Sequence, residues 1–312
     1  MIVGLASLIL RAAVVLAGTA IVTFALLWNA PGDPAQAIAM ARFDALLTED
    51  VVAQVRREAG LDVGFWTAFR AWVGPLLSLD FGLSTVTGRP VLPDLLTAGS
   101  YTLPLALAGL GIGLAVSGPL AYVATRRPGS VMDRLAVALA SLGAAIPAYW
   151  LGLLLILLFA VHLAWLPAMG ARTPAHAILP ALTLGLGVAA SLTRIIRSGV
   201  LEARRQPFLP ALTRRGVSTR ALGRDHVAPH AVIPVITVFG LELAFLLEGT
   251  VMVEVIFGRP GLGTFLVTAI EARDFPQVQA VVVLTALLFV TVNLLIDLIY
   301  RAVDPRIGTR DA

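Results

Sequence analysis

The chain lacks cysteine, and it lacks lysine as well: all 23 of its basic residues are arginine. Without cysteine there is no disulfide, no thiolate metal site and no thiol nucleophile. Without lysine there is no Walker A loop, whose lysine must reach the phosphates, and no Schiff-base chemistry. If the protein moves a solute uphill with ATP, another subunit must bind the nucleotide. Charge is scarce too. Charged residues make up 13% of the chain and hydrophobic residues 58%, with a mean hydropathy of +0.89, whereas a soluble domain carries about 25% charged residues. That leaves too little polar surface to coat a water-soluble globule of 312 residues. A cleavable-leader pattern is also missing. Arg11 sits inside the first apolar stretch, and Pro31-Gly32-Asp33-Pro34 follows it where a small-residue cleavage site would stand, so this stretch reads as a retained helix.

What is abundant is apolar length. Six stretches, approximately 8–29, 100–124, 135–163, 176–196, 231–256 and 276–300, are long enough to span the hydrocarbon core, for which about 20 residues are needed. Residues 95–125 and 135–171 contain no Asp, Glu or Arg. The fourth stretch is the weakest, holding Pro180, Gly185 and Gly187, and small residues there favour close helix packing. The expected class is an all-α, polytopic membrane protein with a single membrane domain, 1–312. The arginines orient it. With the N-terminus inside, fifteen fall on the cytoplasmic side, eight of them between Arg194 and Arg224, against eight outside. Five of those outside lie in 30–94, balanced by eight acidic residues. The positive-inside rule places both termini in the cytoplasm.

Three segments lie outside the predicted spans. Residues 30–94 form an external region with short amphipathic helices, including 49–59 and 64–78. Residues 257–275 form an external loop that opens with a turn at Pro260-Gly261. Residues 197–230 form an arginine-rich cytoplasmic loop. Here Phe208 to Arg215 predicts a short helix with Pro210 in its first turn, where a missing N–H costs little. Gly216 breaks that helix, and Ser218 caps a second one over Thr219 to Arg224. The pattern supports two readings: a rigid elbow offered to a soluble partner, or a basic loop lying on anionic headgroups.

The elbow also carries a resemblance. Gly216-Val217-Ser218, followed by His226-Val227-Ala228-Pro229-His230-Ala231-Val232-Ile233-Pro234, resembles the EAA-type coupling loop of bacterial ABC importer permeases. More narrowly, it is similar to the dipeptide/oligopeptide/nickel branch with a long external segment after helix one. Matching stretches run along nearly the whole chain. They include Pro31-Gly32-Asp33-Pro34, Gly60-Leu61-Asp62, Asp80-Phe81-Gly82-Leu83-Ser84 and Thr87-Gly88-Arg89-Pro90-Val91. Further on come Ile146-Pro147-Ala148-Tyr149-Trp150-Leu151-Gly152, Trp165-Leu166-Pro167, Glu254 with Phe257, Pro260-Gly261-Leu262-Gly263, Arg273-Asp274-Phe275-Pro276 and Asp304-Pro305-Arg306. Each is short; their order and spacing together are specific.

The resemblance implies a type I ABC importer permease fold of six transmembrane helices in the inner (plasma) membrane. It implies a homologous second permease, two ATP-binding subunits docked on the coupling loops, and an external substrate-binding protein, with no nucleic acid partner. This chain would hold no cofactor; ATP and Mg would be bound by the ATPase subunits. Coupling would fall to Phe208, Ala211, Leu212, Arg215, Gly216 and His226, with Phe208 and Leu212 on one helix face entering an ATPase cleft. One departure stands out. Pro210 occupies the position that opens the signature, six before Gly216, where a helix-compatible residue is usual, so the helix is expected to start late. Dipeptides, oligopeptides, nickel and metal–opine complexes are all carried by such permeases.

Four carboxylates fall within the predicted spans: Glu242, Glu248, Glu254 and Asp297. Ionisable groups there are expensive and face the bundle or an aqueous path. Glu254 and Asp297 lie near the interfaces and read as structural. Glu242 and Glu248 lie deeper, and either lines the translocation path, favouring a cationic or metal-bearing solute, or ties helices together. His226 and His230 have helical metal-ligand spacing but are interrupted by Pro229, so no metal site is expected. A self-sufficient secondary transporter would show inverted repeats and broken midplane helices, and an intramembrane enzyme would show paired catalytic groups. Neither pattern is clear.

Overall fold

The computed structural model describes residues 2–43 and 48–303, which are mostly helical. The Asp304-Pro305-Arg306 stretch and Arg310 lie outside the described residues. The helices are α1 (Ile2–Trp28), α2 (Pro34–Phe43), α3 (Glu49–Glu58), α4 (Phe65–Leu76), α5 (Val91–Arg126), α6 (Val131–Ala145), α7 (Ala148–Leu155), α8 (Ile178–Arg204), α9 (Phe208–Arg214), α10 (Thr219–Ala221), α11 (Ala228–Ile256), α12 (Leu262–Glu271) and α13 (Phe275–Val303). All six predicted apolar stretches are helical. Among the described residues, four segments are long and apolar enough to cross a membrane, Leu10–Trp28, Val91–Arg126, Pro174–Arg204 and Phe275–Leu298, and the bent pair Val131–Ala145 with Ala148–His162 makes a fifth if taken as one span.

The third predicted span is not one straight helix. α6 and the segment Ala148–His162 meet at 102°. Pro147 explains the break: it offers no N–H, and its ring pushes Ile146 to φ −82°, ψ 122°, outside the helical region. Three further helices exceed expectation. α2 adds to the two short helices named for the external region: Asp33 accepts the Ala35 N–H (3.0 Å) and Pro34 supplies a preset first turn. α5 begins at Val91, nine residues early. α12 replaces the expected irregular loop, with the Leu262 N–H satisfied by Thr102 Oγ1 at 2.8 Å.

The chain divides into two compact units: residues up to 102 with 260–291, and residues 103–259 with those from 292 onward. α5 and α13 each contribute to both. In the first unit, Ala35, Ile38 and Ala39 of α2 pack on Val55 of α3. Val91, Leu95 and Ala98 of α5 pack with Leu262, Ala280 and Val281. In the second, Leu105 and Leu110 of α5, Leu179, Leu184, Val188 and Leu192 of α8, Leu246 and Val253 of α11, and Phe257 just past its end form the core. Glycine makes the α5–α8 approach possible. A methyl group on Gly185 would lie 2.6 Å from Ile112 Cβ and 2.8 Å from the Gly109 carbonyl, and one on Gly113 would lie 2.5 Å from Val188 Cγ1. Gly187, by contrast, faces open space.

Candidate functional site

The elbow forms from the base of α8. α9 starts at Phe208, so Pro210 sits in its first turn and does not delay it. Its end is set by Gly216, whose φ of +83° lies in the left-handed region that L side chains avoid. Ser218 Oγ then accepts the Ala221 N–H at 3.3 Å, the predicted cap. The second helix does not stop at Arg224. It continues as a π-helical turn over Leu222–Val227 directly into α11. The elbow is therefore continuous with a long apolar helix.

Packing sorts the predicted coupling residues. Leu209 is buried with Ala203 and Val227, and Leu212 and Leu222 pack against them. Leu212 therefore holds the elbow to its base and does not share the outer surface with Phe208. The outer surface carries Phe208, Ala211, Arg215 and Gly216, all exposed. The Phe208 ring meets the His226 ring edge-on (centroids 6.2 Å apart) and the His230 ring at a tilt (5.4 Å). The His230 Nδ1 contacts the His226 carbonyl at 2.7 Å, which occupies the pair in packing and helix bonding. Among the described residues, no cluster of three metal-ligating side chains occurs. The Arg224 guanidinium, bonded to Asp225 at 2.6 Å, holds that carboxyl below its ordinary range.

Two arginines fix the base of the elbow, and sequence reading assigned them only to topology. Arg197 grips Asp133 of α6 through two bonds, Nε to Oδ1 at 2.6 Å and Nη2 to Oδ2 at 2.8 Å. The same carboxylate accepts the Gly129 N–H at 2.8 Å. Seven residues on and nearly in line with it, Arg204 donates to the Thr125 carbonyl in the last turn of α5. The final two turns of α8 thus hold both arms of the α5–α6 turn. The signal was present in the sequence as the Asp133-Arg134 pair at the start of an otherwise uncharged span.

Of the deep carboxylates, Glu242 is buried and lies beside Ser191 and Arg194 of α8. Glu248 is exposed on α11, Glu254 is fully buried and Asp297 is part-buried. Glu242 and Glu248 therefore do not share one environment.

A second constellation gathers motifs that the sequence scatters. Gly82 (φ +75°) and Gly88 (φ +69°) turn a tight hairpin, closed by Ser84 N–H to Arg89 O (2.8 Å) and Val91 N–H to Gly82 O (3.0 Å). Asp274 locks onto it, accepting from the Ser84 hydroxyl and from the Thr85 N–H at 3.2 Å. Arg42 donates to the Thr85 carbonyl, and the Arg273 guanidinium lies over Gly32, where a side chain would meet it at 2.8 Å. The stretches beginning Pro31, Asp80 and Arg273 are thus one structural site.

Residues 117–309 match the family described as binding-protein-dependent transport system inner membrane component, across the elbow and the helices on either side of it. The chain belongs to that family. It is 38% identical over 296 residues to the glutathione transport system permease protein GsiC of Salmonella typhimurium, covering 92% of this chain and 93% of the relative. It is 38% identical over 281 residues to the GsiC protein of Escherichia coli strain K12, covering 89% of each. Among solved structures, it superposes on an inward-facing MetNI methionine ABC transporter chain with a TM-score of 0.56 at 20% identity, covering 68% of this chain and 97% of that one. A chain of an amino acid ABC transporter with histidines gives 0.56 at 18% identity, covering 68% and 94%. The fold is therefore that of ABC importer permeases, and the chain is an inner-membrane permease subunit, a transport protein that works with ATPase and substrate-binding partners.

Proposed function

We propose that this permease forms half of the translocation path of an importer for small peptides of the glutathione class, together with a homologous second permease and two ATPase subunits. The observation that carries the substrate class is the 38% identity to GsiC over 92% of the chain. Nickel and metal–opine complexes have no comparable support.

ATP binding would close the ATPases and push on the elbow. Because α9 is anchored through Leu209 and Leu212 and α10 runs into α11, that push is delivered to α8 and α11 together, a two-state motion biased by nucleotide. Phe208, Ala211, Arg215 and Gly216 form the surface that meets the ATPase; His226 backs Phe208. Glu248 is the carboxylate available to the path, and it would favour a solute carrying an amine. Glu242, engaged with Ser191 and Arg194, ties α8 to α11.

Both termini are assigned to the cytoplasm. The arginine distribution carries this orientation, and contacts agree with the grouping of segments by side: Arg197 and Arg204 pair with Asp133 and Thr125, all near predicted cytoplasmic ends. Ser84 pairs with Asp274, and Arg259 with the His176 carbonyl, all on the predicted external side.

The test is uptake of radiolabelled glutathione and of a neutral dipeptide by cells lacking their own peptide importers and expressing the whole system. ATP-dependent uptake that requires this chain and its ATPases supports the proposal. Uptake by this chain alone would instead indicate a secondary transporter, and uptake of nickel but of neither peptide would overturn the substrate class.

A further inference from the structure

We propose that α4 is a membrane-surface helix, seated with the turn that follows it in the headgroup–acyl boundary of the bilayer at the depth of Trp28. The inference rests on α1 crossing the membrane and not on the substrate or the coupling mechanism.

Depth is fixed by ring contacts. The apolar span of α1 runs Leu10–Trp28, so Phe24 and Trp28 occupy its last two turns. Phe24 meets Phe65 at 5.3 Å, Phe69 at 5.4 Å and Trp72 at 5.5 Å, and Trp28 meets Phe65 at 5.9 Å. Phe65, Phe69 and Trp72 are spaced four and three apart and so share the face turned to α1. α4 is thereby held beside the final turns of a transmembrane segment, within about 6 Å of its end at 1.5 Å per residue.

A second face, about 100° around the helix, carries Trp66, Val73 and Leu77. Trp66 is 62% exposed and Leu77 90% exposed. The only charge among the twelve residues of α4 is Arg70, on the flank of that face, with a stem long enough to keep its guanidinium in the headgroups.

The helix end points the same way. Leu79 N–H bonds the Leu76 carbonyl (3.0 Å) and Asp80 N–H bonds the Pro75 carbonyl (3.1 Å), a Schellman-type end. The left-handed position in such an end belongs to Gly or Asn. Here it holds Leu79, at φ +58° and 62% exposed. In water this leucine would combine backbone strain with exposed apolar area; in lipid the second cost disappears. The occupant that fits is the bilayer already touching α1, whose Val14, Val22 and Leu26 are likewise exposed. Tryptophan belongs at this level of a membrane, and an apolar helix with one basic flank is the form that lies there.

The absence of cysteine makes the test direct. Leu77→Cys and, separately, Leu79→Cys are labelled with the polarity-sensitive dye NBD in the assembled transporter, with cysteine-free partner subunits, in nanodiscs of phosphatidylcholine and phosphatidylglycerol. Glu49→Cys on α3 serves as the water-exposed control. The proposal expects blue-shifted emission at both sites, reduced by about half by lipids spin-labelled near the headgroup and less by lipids labelled deep in the chain, with no quenching at position 49. Water-like, unquenched emission at 77 and 79 would overturn it. Blue-shifted emission that no lipid quencher touches would also overturn it, because the face would then be covered by protein. Using two sites keeps the result readable if one variant fails to assemble.

Discussion

Asp274, immediately before α13, accepts a hydrogen bond from the Ser84 hydroxyl, 190 residues earlier in the chain. The carboxylate is 1% exposed and also takes the Thr85 N–H. A buried acceptor with several donors is costly to remove, because the donors are left unpaired. Asp274→Ala is expected to destabilise the chain by about 1–3 kcal/mol, and Asp274→Asn by less, since one oxygen remains. Thermal unfolding of the purified complex checks this; identical melting of Asp274→Ala and wild type would remove Asp274 as the lock of this site.

The Asp133–Arg197 pair makes a sharper prediction. Asp133 is almost fully buried, and removing one partner of such a pair costs about 3–5 kcal/mol, while removing both costs much less. Asp133→Asn and Arg197→Gln are each expected to lower stability strongly, and the double variant to recover most of the loss. A double-mutant cycle on unfolding measures it, and simple additivity would show that the two groups do not act as a pair.

The elbow residues separate by role. Leu212→Ala is expected to lower stability by about 1–2 kcal/mol, below the range for a fully buried leucine. Phe208→Ala should leave folding largely intact and weaken ATPase co-purification. The opposite pattern, with Phe208→Ala unfolding the chain and Leu212→Ala losing only the ATPase, would reverse the assignment of faces.

Helix approach gives a matched pair. Gly185→Val must displace the Gly109 backbone and Ile112, an overpacking cost of about 1–3 kcal/mol. Gly187→Ala, two residues on, meets nothing and should be silent or slightly stabilising. Expression level and melting temperature of the two variants distinguish them.

How much of this was legible beforehand follows from the physics of each part. Apolar length marked all six helical stretches, because a span must satisfy its backbone internally over a known thickness. Gly216 and Ser218 announced the elbow, since a left-handed stop and a side-chain cap are local requirements. The 102° break at Pro147 was also written locally, and the long uncharged run around it masked the signal. Pairings across the chain were not legible. Nothing in the stretches at Gly32, Ser84 and Asp274 says that they meet, and Leu212 looked like a partner of Phe208 because spacing alone does not say which side of a short helix is covered. Glu242 and Glu248, six residues apart on α11, fall on different helix faces by spacing alone, but the sequence does not say which of those faces α8 covers.

The central claim is that energy enters this lysine-free chain from outside, through the turn at Gly216. Its positive φ leaves room for a side chain but strains any L residue, by about 1–2 kcal/mol. The most direct measurement is binding-protein-stimulated ATPase activity and solute uptake by the complex carrying Gly216→Arg, reconstituted in liposomes. The account predicts a complex that assembles with its partner permease and ATPases yet loses both uptake and stimulation. Wild-type uptake and stimulation by that variant would contradict it.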